Sequence, residues 1–293
     1  MRLEREHFER RLARRRRFDS IFHIVIFLTS LFGLFVLFVL LIDIVKRGLP
    51  WLSWQFLNNY PSRFPQKAGI KPALVGTTWI ALLTGLFSFP LGVATAVFLE
   101  EFAPKNRIMR ILDANIANLA GVPSIVYGIL GLTLFVRWLS LGRSVLAGAF
   151  TMTLMSLPVV IIISREAIRS VPDSLRHASY ALGATRWQTI RRVVLPTALP
   201  SIMTGMILSL SRAIGETAPL IMIGALTFVA FIPYGPLDSF TVLPLQIFNW
   251  TAMPQEKFRG LAAAAIVVLM AVLLSMNAGA IWLRTRYEKK TRF

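Results

Sequence analysis

Residues 171–196 read VPDSLRHASYALGATRWQTIRRVVLP, and this short amphipathic stretch, set between two long apolar runs, decides the architecture. Asp173 can cap a first helix through its carboxylate. Leu175, Ala178, Ala181 and Leu182 then fall on one face at helical spacing. Gly183 is a natural stop, because glycine alone enters the left-handed region without a steric cost. A second helix follows, with Trp187, Ile190 and Val194 on one side and Arg186, Arg191 and Arg192 on the other. Pro196 restarts the chain into the next apolar run. The arginines alone would suit a solvated loop, but the helix, glycine, helix order describes a rigid element.

Outward from this segment the chain is apolar in both directions. Runs at 20–45, 73–99, 116–136, 145–164, 198–229 and 261–282 stand out, and 55% of the 293 residues are hydrophobic, with a mean hydropathy of +0.63. A hydrocarbon core is about 30 Å thick and takes about 20 residues of helix to cross. Six such runs predict an all-α, polytopic membrane protein with six transmembrane helices. The first run continues for about 25 residues without a small-residue cleavage site, so it reads as a retained span and not a signal peptide.

The formal net charge of +18 reads as topology rather than nucleic-acid binding. With the N-terminus inside, the cytoplasmic segments carry 22 of the 32 Lys and Arg residues and the outer segments 9, with Arg212 within a span. Both termini are therefore expected in the cytoplasm. The chain has no cysteine, which removes disulfides, thiolate metal sites and thiol nucleophiles. Its three histidines, His7, His23 and His177, are scattered. Glu100 and Glu101 stand beside basic neighbours and read as loop charges, so neither a metal centre nor a catalytic cluster is expected. No internal repeat suggests a secondary transporter.

The fifth run holds SLSRAIGETAP, residues 209–219. Gly205, Ser209, Arg212, Glu216 and Pro219 recur at steps of four and three, which predicts one small-and-polar stripe facing away from lipid, with Thr217 beside it. A charge in mid-span costs at least about 2.5 kcal/mol. Two roles fit Arg212. It neutralises Glu216 four residues on, or it lines a substrate path and offers its planar guanidinium to an oxyanion. The third run carries Gly121, Ser124, Gly128 and Gly131 on one face, a close-packing surface. Pro123 should kink it, and Tyr127 could sit near a cavity. Between 233 and 259, Tyr234, Phe240, Leu243, Phe248 and Trp250 suit either an interfacial aromatic belt or a docking surface.

The spacing of Ala178, Gly183, Leu195 and Pro196 resembles the signature of binding-protein-dependent ABC importer permeases: Glu-Ala-Ala, three residues, Gly, nine residues, Ile, one residue, Leu-Pro. Val193 takes the Ile position, while His177 and Ser179 depart from the family's Glu and Ala. Residues 118–128, 171–176, 182–196, 212–219 and 241–250 together resemble the phosphate-specific, PstA-type subgroup. The resemblance covers about residues 73–282, and the first span lies outside it.

The resemblance implies a type I ABC importer permease fold. It divides the chain into a basic cytoplasmic segment (1–19), an accessory helix (20–45), a transmembrane core (73–284) with a coupling segment at 165–196, and a basic tail (285–293). It implies a coupling surface for an ATPase made of Leu175, Arg176, His177, Ala178, Gly183, Leu195 and Pro196, and a substrate path through Ser209, Arg212, Glu216 and Thr217. The chain lacks a GxxxxGK[ST] loop, so ATP and magnesium are expected on separate ATPase subunits and no cofactor on this chain. The implied partners are a second, similar permease, two ATPase subunits, an extracytoplasmic phosphate-binding protein and the inner-membrane bilayer. Inorganic phosphate is the implied cargo, with sulfate or molybdate as the alternative oxyanions.

Overall fold

A computed structural model describes residues 2–104, 106–225 and 229–291, and they fold as helices joined by short connections. In chain order these are α1 (Arg2–Gly48), α2 (Trp54–Asn58), α3 (Lys71–Val97), α4 (Arg107–Ala120), α5 (Ser124–Gly131), α6 (Val145–Arg169), α7 (Asp173–Ala181), α8 (Arg186–Thr189), α9 (Leu195–Gly215), α10 (Ala218–Met222), α11 (Leu243–Ala252) and α12 (Glu256–Thr291). Wider π-type turns extend α3 to Phe102, α5 to Trp138, and join α8 to α9. Among the described residues, five helical segments are long and apolar enough to cross a membrane, and the bent pair α4 and α5 supplies a sixth crossing if it counts as one span.

Local chemistry sets most boundaries. The Ser144 side chain accepts the Ala147 N–H and starts α6, and Asn106 does the same for α4 through Met109 N–H. Thr185 and Gln188 close a reciprocal capping box at α8. Gly183, at φ +79°, ends the α7 turn as its composition implies. Asp173 does not cap α7. Pro172 holds the N-cap position without a side-chain bond, and Asp173, one residue inside the helix, pairs with Arg176 at 3.0 Å.

The core is α6 packed between α3 and α9, with α12 closing over α9. Glycines allow this approach: a Cβ at Gly205 would overlap the Ile163 side chain, and one at Gly92 would overlap Val160. At the end opposite α7, the backbone of Thr241 lies against Gly76, and the Leu243 N–H donates to the buried Thr77 hydroxyl at 2.9 Å. α1 stands apart, its apolar stretch exposed along its length, touching α12 where Gly48 meets Ala263.

Three expectations change. The third run is not one kinked helix: α4 and α5 meet at 101° across residues 121–123. Gly128 and Gly131 do pack closely, against α10 and Thr151 of α6, whereas Gly121 sits exposed at the break. The fifth run also breaks, since α9 ends at Gly215 and Glu216 is extended, so the polar stripe is not continuous on one helix. In the 233–259 segment, Phe240, Leu243 and Trp250 are buried in the outer core rather than forming a belt, and of the five residues named above Tyr234 and Phe248 remain exposed. The alternation of aromatic and apolar residues there reflects α11 folding back onto the protein.

Gly205→Val should lower the melting temperature of the purified protein, by the equivalent of about 1–3 kcal/mol for overpacking. Gly33→Val, on α1 with no atom within 4 Å, should leave it unchanged. Equal melting of both variants would contradict the close packing of α6 and α9.

Candidate functional site

Two regions carry the functional side chains. The first is a cleft within the membrane-spanning core, between the break of α4 and α5, the middle of α6, and the last turns of α9. Its lining includes Ser124, Tyr127, Ser156, Ser209 and Arg212. Tyr127 is buried, and its hydroxyl donates to the Leu119 carbonyl at 2.7 Å, which ties the end of α4 to α5 across the break. Ser209 is buried on α9, on the side that also carries Gly205. Arg212 stands at the mouth with its side chain two-thirds exposed (67%), and its Nε lies 3.8 Å from a carboxylate oxygen of Glu216. Helical spacing alone would place Glu216 on the same face, but the chain has left the helix by then. Thr217 occupies the N-cap position of α10 without capping it. Ser209 and Arg212 therefore line the cleft, while Glu216 and Thr217 lie just past the helix end.

The second region is the end of the molecule that carries α7 and α8. Leu175 (42% exposed) and Leu182 (89%) are open to the outside, as are His177, Ala178 and Gly183. Leu195 and Pro196 are half-buried where the chain enters α9. Arg176 is different, because its side chain turns inward. It donates to the Val171 and Ile168 carbonyls, near the end of α6, at 2.5 and 2.9 Å, and to Glu101 at 3.1 Å. It thus fastens α7 to the end of α3 and α6.

Around it lies a set of ion pairs that sequence reasoning missed. Arg165 pairs with Glu100 at 2.5 Å and with Asp113 at 2.6 Å, its guanidinium bidentate on Asp113. Arg169 holds the other oxygen of Glu100 at 2.8 Å. Glu100 and Glu101 are therefore not loop charges. They end the second span as partners of arginines more than 60 residues away, and Glu101 is buried. The available signal was a carboxylate pair closing an apolar run, opposite arginines closing another. Ser156, in the middle of α6, gave no signal at all, since a serine in a run of apolar residues is indistinguishable by type from a packing residue.

The description of binding-protein-dependent transport system inner membrane components fits residues 88–289, more than half of the chain. The chain belongs to that family. The permease is 34% identical over 292 residues to "Phosphate transport system permease protein PstA 1" of Mycobacterium tuberculosis, covering 97% of this chain and 93% of the relative. It is 30% identical over 256 residues to "Phosphate transport system permease protein PstA" of Pasteurella multocida, covering 86% and 90%. In fold it is similar to the crystal structure of a bacterial ABC transporter involved in the import of the acidic polysaccharide alginate, with a TM-score of 0.66, 18% identity, and 94% and 99% of the two chains covered. The inward-facing MetNI methionine ABC transporter matches with a TM-score of 0.62 at 18% identity, over 73% of this chain and 94% of that one. The permease is thus a multi-pass membrane protein and a transport component rather than an enzyme.

Arg176→Met should destabilise the permease by about 3 kcal/mol, because it leaves the buried Glu101 carboxylate unpaired. Adding Glu101→Gln should recover part of that loss in a thermal-melt comparison. Failure of the double variant to improve on the single one would remove the fastening role of this pair.

Proposed function

We propose that the chain is the transmembrane permease subunit of an ATP-driven importer that moves inorganic phosphate across the inner membrane into the cytoplasm. The observation that carries this reading is Arg212, a guanidinium two-thirds exposed on a spanning helix beside a cleft of serines. A permanent cation suits a planar, bidentate match to phosphate oxygens. Relatives named as phosphate permeases, aligned over 97% and 86% of the chain, support that cargo. Glu216, 3.8 Å away, limits how long an anion stays.

The same exposure supports a second permease subunit. A charge facing hydrocarbon costs at least about 2.5 kcal/mol, so the α9 face bearing Arg212 is covered by a partner in the membrane. At the other end, the outward apolar patch of Leu175, Ala178 and Leu182, flanked by His177, suits docking into a groove of an ATPase subunit. Two such ATPases would hold the ATP and magnesium, and closure of the pair would push α7 against the end of α9 through Gly183, Leu195 and Pro196. The exposed Tyr234 and Phe248 at the opposite end offer contacts to an extracytoplasmic phosphate-binding protein. A structural relative of the permease has been solved with its periplasmic protein bound, at a TM-score of 0.65. The excess of basic residues on the α7 side supports both termini in the cytoplasm.

Two variants test this in liposomes containing the permease, its partner permease, the ATPases and the binding protein. ATP-dependent uptake of radiolabelled phosphate should be seen with the natural sequence and be lost in Arg212→Ala, with assembly intact. Uptake of sulfate but not phosphate would overturn the cargo. Gly183→Val forces a β-branched residue to φ +79°, and should leave ATP hydrolysis in place while cutting transport. Undiminished transport in that variant would remove the lever role of α7.

A further inference from the structure

We propose that the break between α4 and α5 forms an oxyanion subsite, in which phosphate places one oxygen into the cleft between α5, α6 and α9 while Arg212 holds the others at the mouth. The inference rests on the phosphate-importer reading above and assigns that cargo a position.

Three features meet there. First, α5 begins inside the spanning core at Ser124, preceded by Pro123. The Pro123 carbonyl takes the Val126 N–H at 3.0 Å, and among the described residues no side chain caps this end. The N–H groups of Ser124 and Ile125 precede the first intrahelical bond, and the helix continues as wider turns to Trp138, so this end carries a positive partial charge. Ala120, Val122 and Ser124, the residues around the break, all line the cleft.

Second, Ser156 on α6 lines the same cleft. It is 4% exposed, and its Oγ has no hydrogen-bond partner. A buried hydroxyl without a partner is a standing cost to the fold, and its neighbours Thr151 and Thr153 avoid that cost by bonding back to their own helix at 2.7 Å. Ser156 does not, which leaves both its proton and its lone pairs without a partner at the wall of the cleft. A hydroxyl donates to a bare phosphate oxygen or accepts from a protonated one.

Third, the space is small. The cleft holds about 20 Å³, enough for roughly one water molecule. A single phosphate oxygen is the size of group that this space takes beside Ser156. The remaining oxygens lie toward the mouth, where the exposed guanidinium of Arg212 stands one turn beyond the buried Ser209. A helix end, a free hydroxyl and an arginine thus address one anion from three helices.

This chain has no native cysteine, so labelling read on this chain's own band gives a direct test in the assembled transporter. Ser124→Cys is labelled with a negatively charged methanethiosulfonate, with and without phosphate, against chloride at equal ionic strength. Phosphate at ten times its dissociation constant should slow labelling about tenfold, chloride should not, and adding Ser156→Ala should remove most of the protection. Val122→Cys, at the same mouth, replaces Ser124→Cys if that variant does not assemble. Equal labelling with and without phosphate, in a transporter that still takes up phosphate, overturns the subsite and leaves the importer reading standing. Protection that survives Ser156→Ala also overturns it, by placing the anion away from Ser156. Absence of phosphate uptake in the natural transporter instead removes the reading on which the subsite rests.

Discussion

Inside a bilayer no water satisfies a freed backbone group, so a helix may break only where protein covers the break. This constraint organises the core. The chain breaks twice at depth, at residues 121–123 and after Gly215, and it brings the two breaks together: α5 and α10, the helices that follow them, pack against each other with Pro219 and Met222 on Gly128. The Tyr127 hydroxyl joins the Val122 N–H on the Leu119 carbonyl at the first break, and the Glu216 N–H turns back to Ala213 at 3.1 Å. The first interruption lines the cleft through Ala120, Val122 and Ser124. The polarity of that cleft is thus partly backbone, and only partly the side chains a sequence displays.

Charge is distributed on a different principle. At the α7 end, three arginines and four carboxylates from α3, α4, α6 and α7 pair at short range, with Arg165, Arg176, Glu100 and Glu101 shielded from solvent. Such pairs hold geometry more than they add stability. Here they make α7 continuous with the ends of α3 and α6, so a push on α7 reaches two spans through ion pairs and a third, α9, through the peptide chain. Arg212 has no such company. Its one carboxylate neighbour is 3.8 Å away and its head stays open, and the proposed role in handling an anion rests on that contrast.

Much of this was legible in the sequence. Apolar runs of sufficient length gave the spans, and the spacing around Gly183 gave α7, its stop and its family. Arg212 was visible because a charge in an apolar run has few bland explanations. The breaks were less legible, since Pro123 and Gly215 are compatible with a kinked helix, and only the packing of α5 on α10 decides between kink and break. Asp173 looked like a cap because composition cannot distinguish the N-cap from the residue after it. Glu100 and Arg165 lie 65 residues apart, and no local pattern announces a pair across that distance. Ser156 was hidden for another reason: its meaning lies in a hydrogen bond it does not make.

α1 raises a separate matter. Its apolar length is bare of protein contact, and it is held at its foot, where Gly48 lets the backbone of Ala263 and Ala264 come close. A helix fixed at one end and otherwise solvated by lipid answers to bilayer thickness by tilting. A change in the angle of this mast leaves the packing of α6 between α3 and α9 untouched, because α1 meets the core through α12.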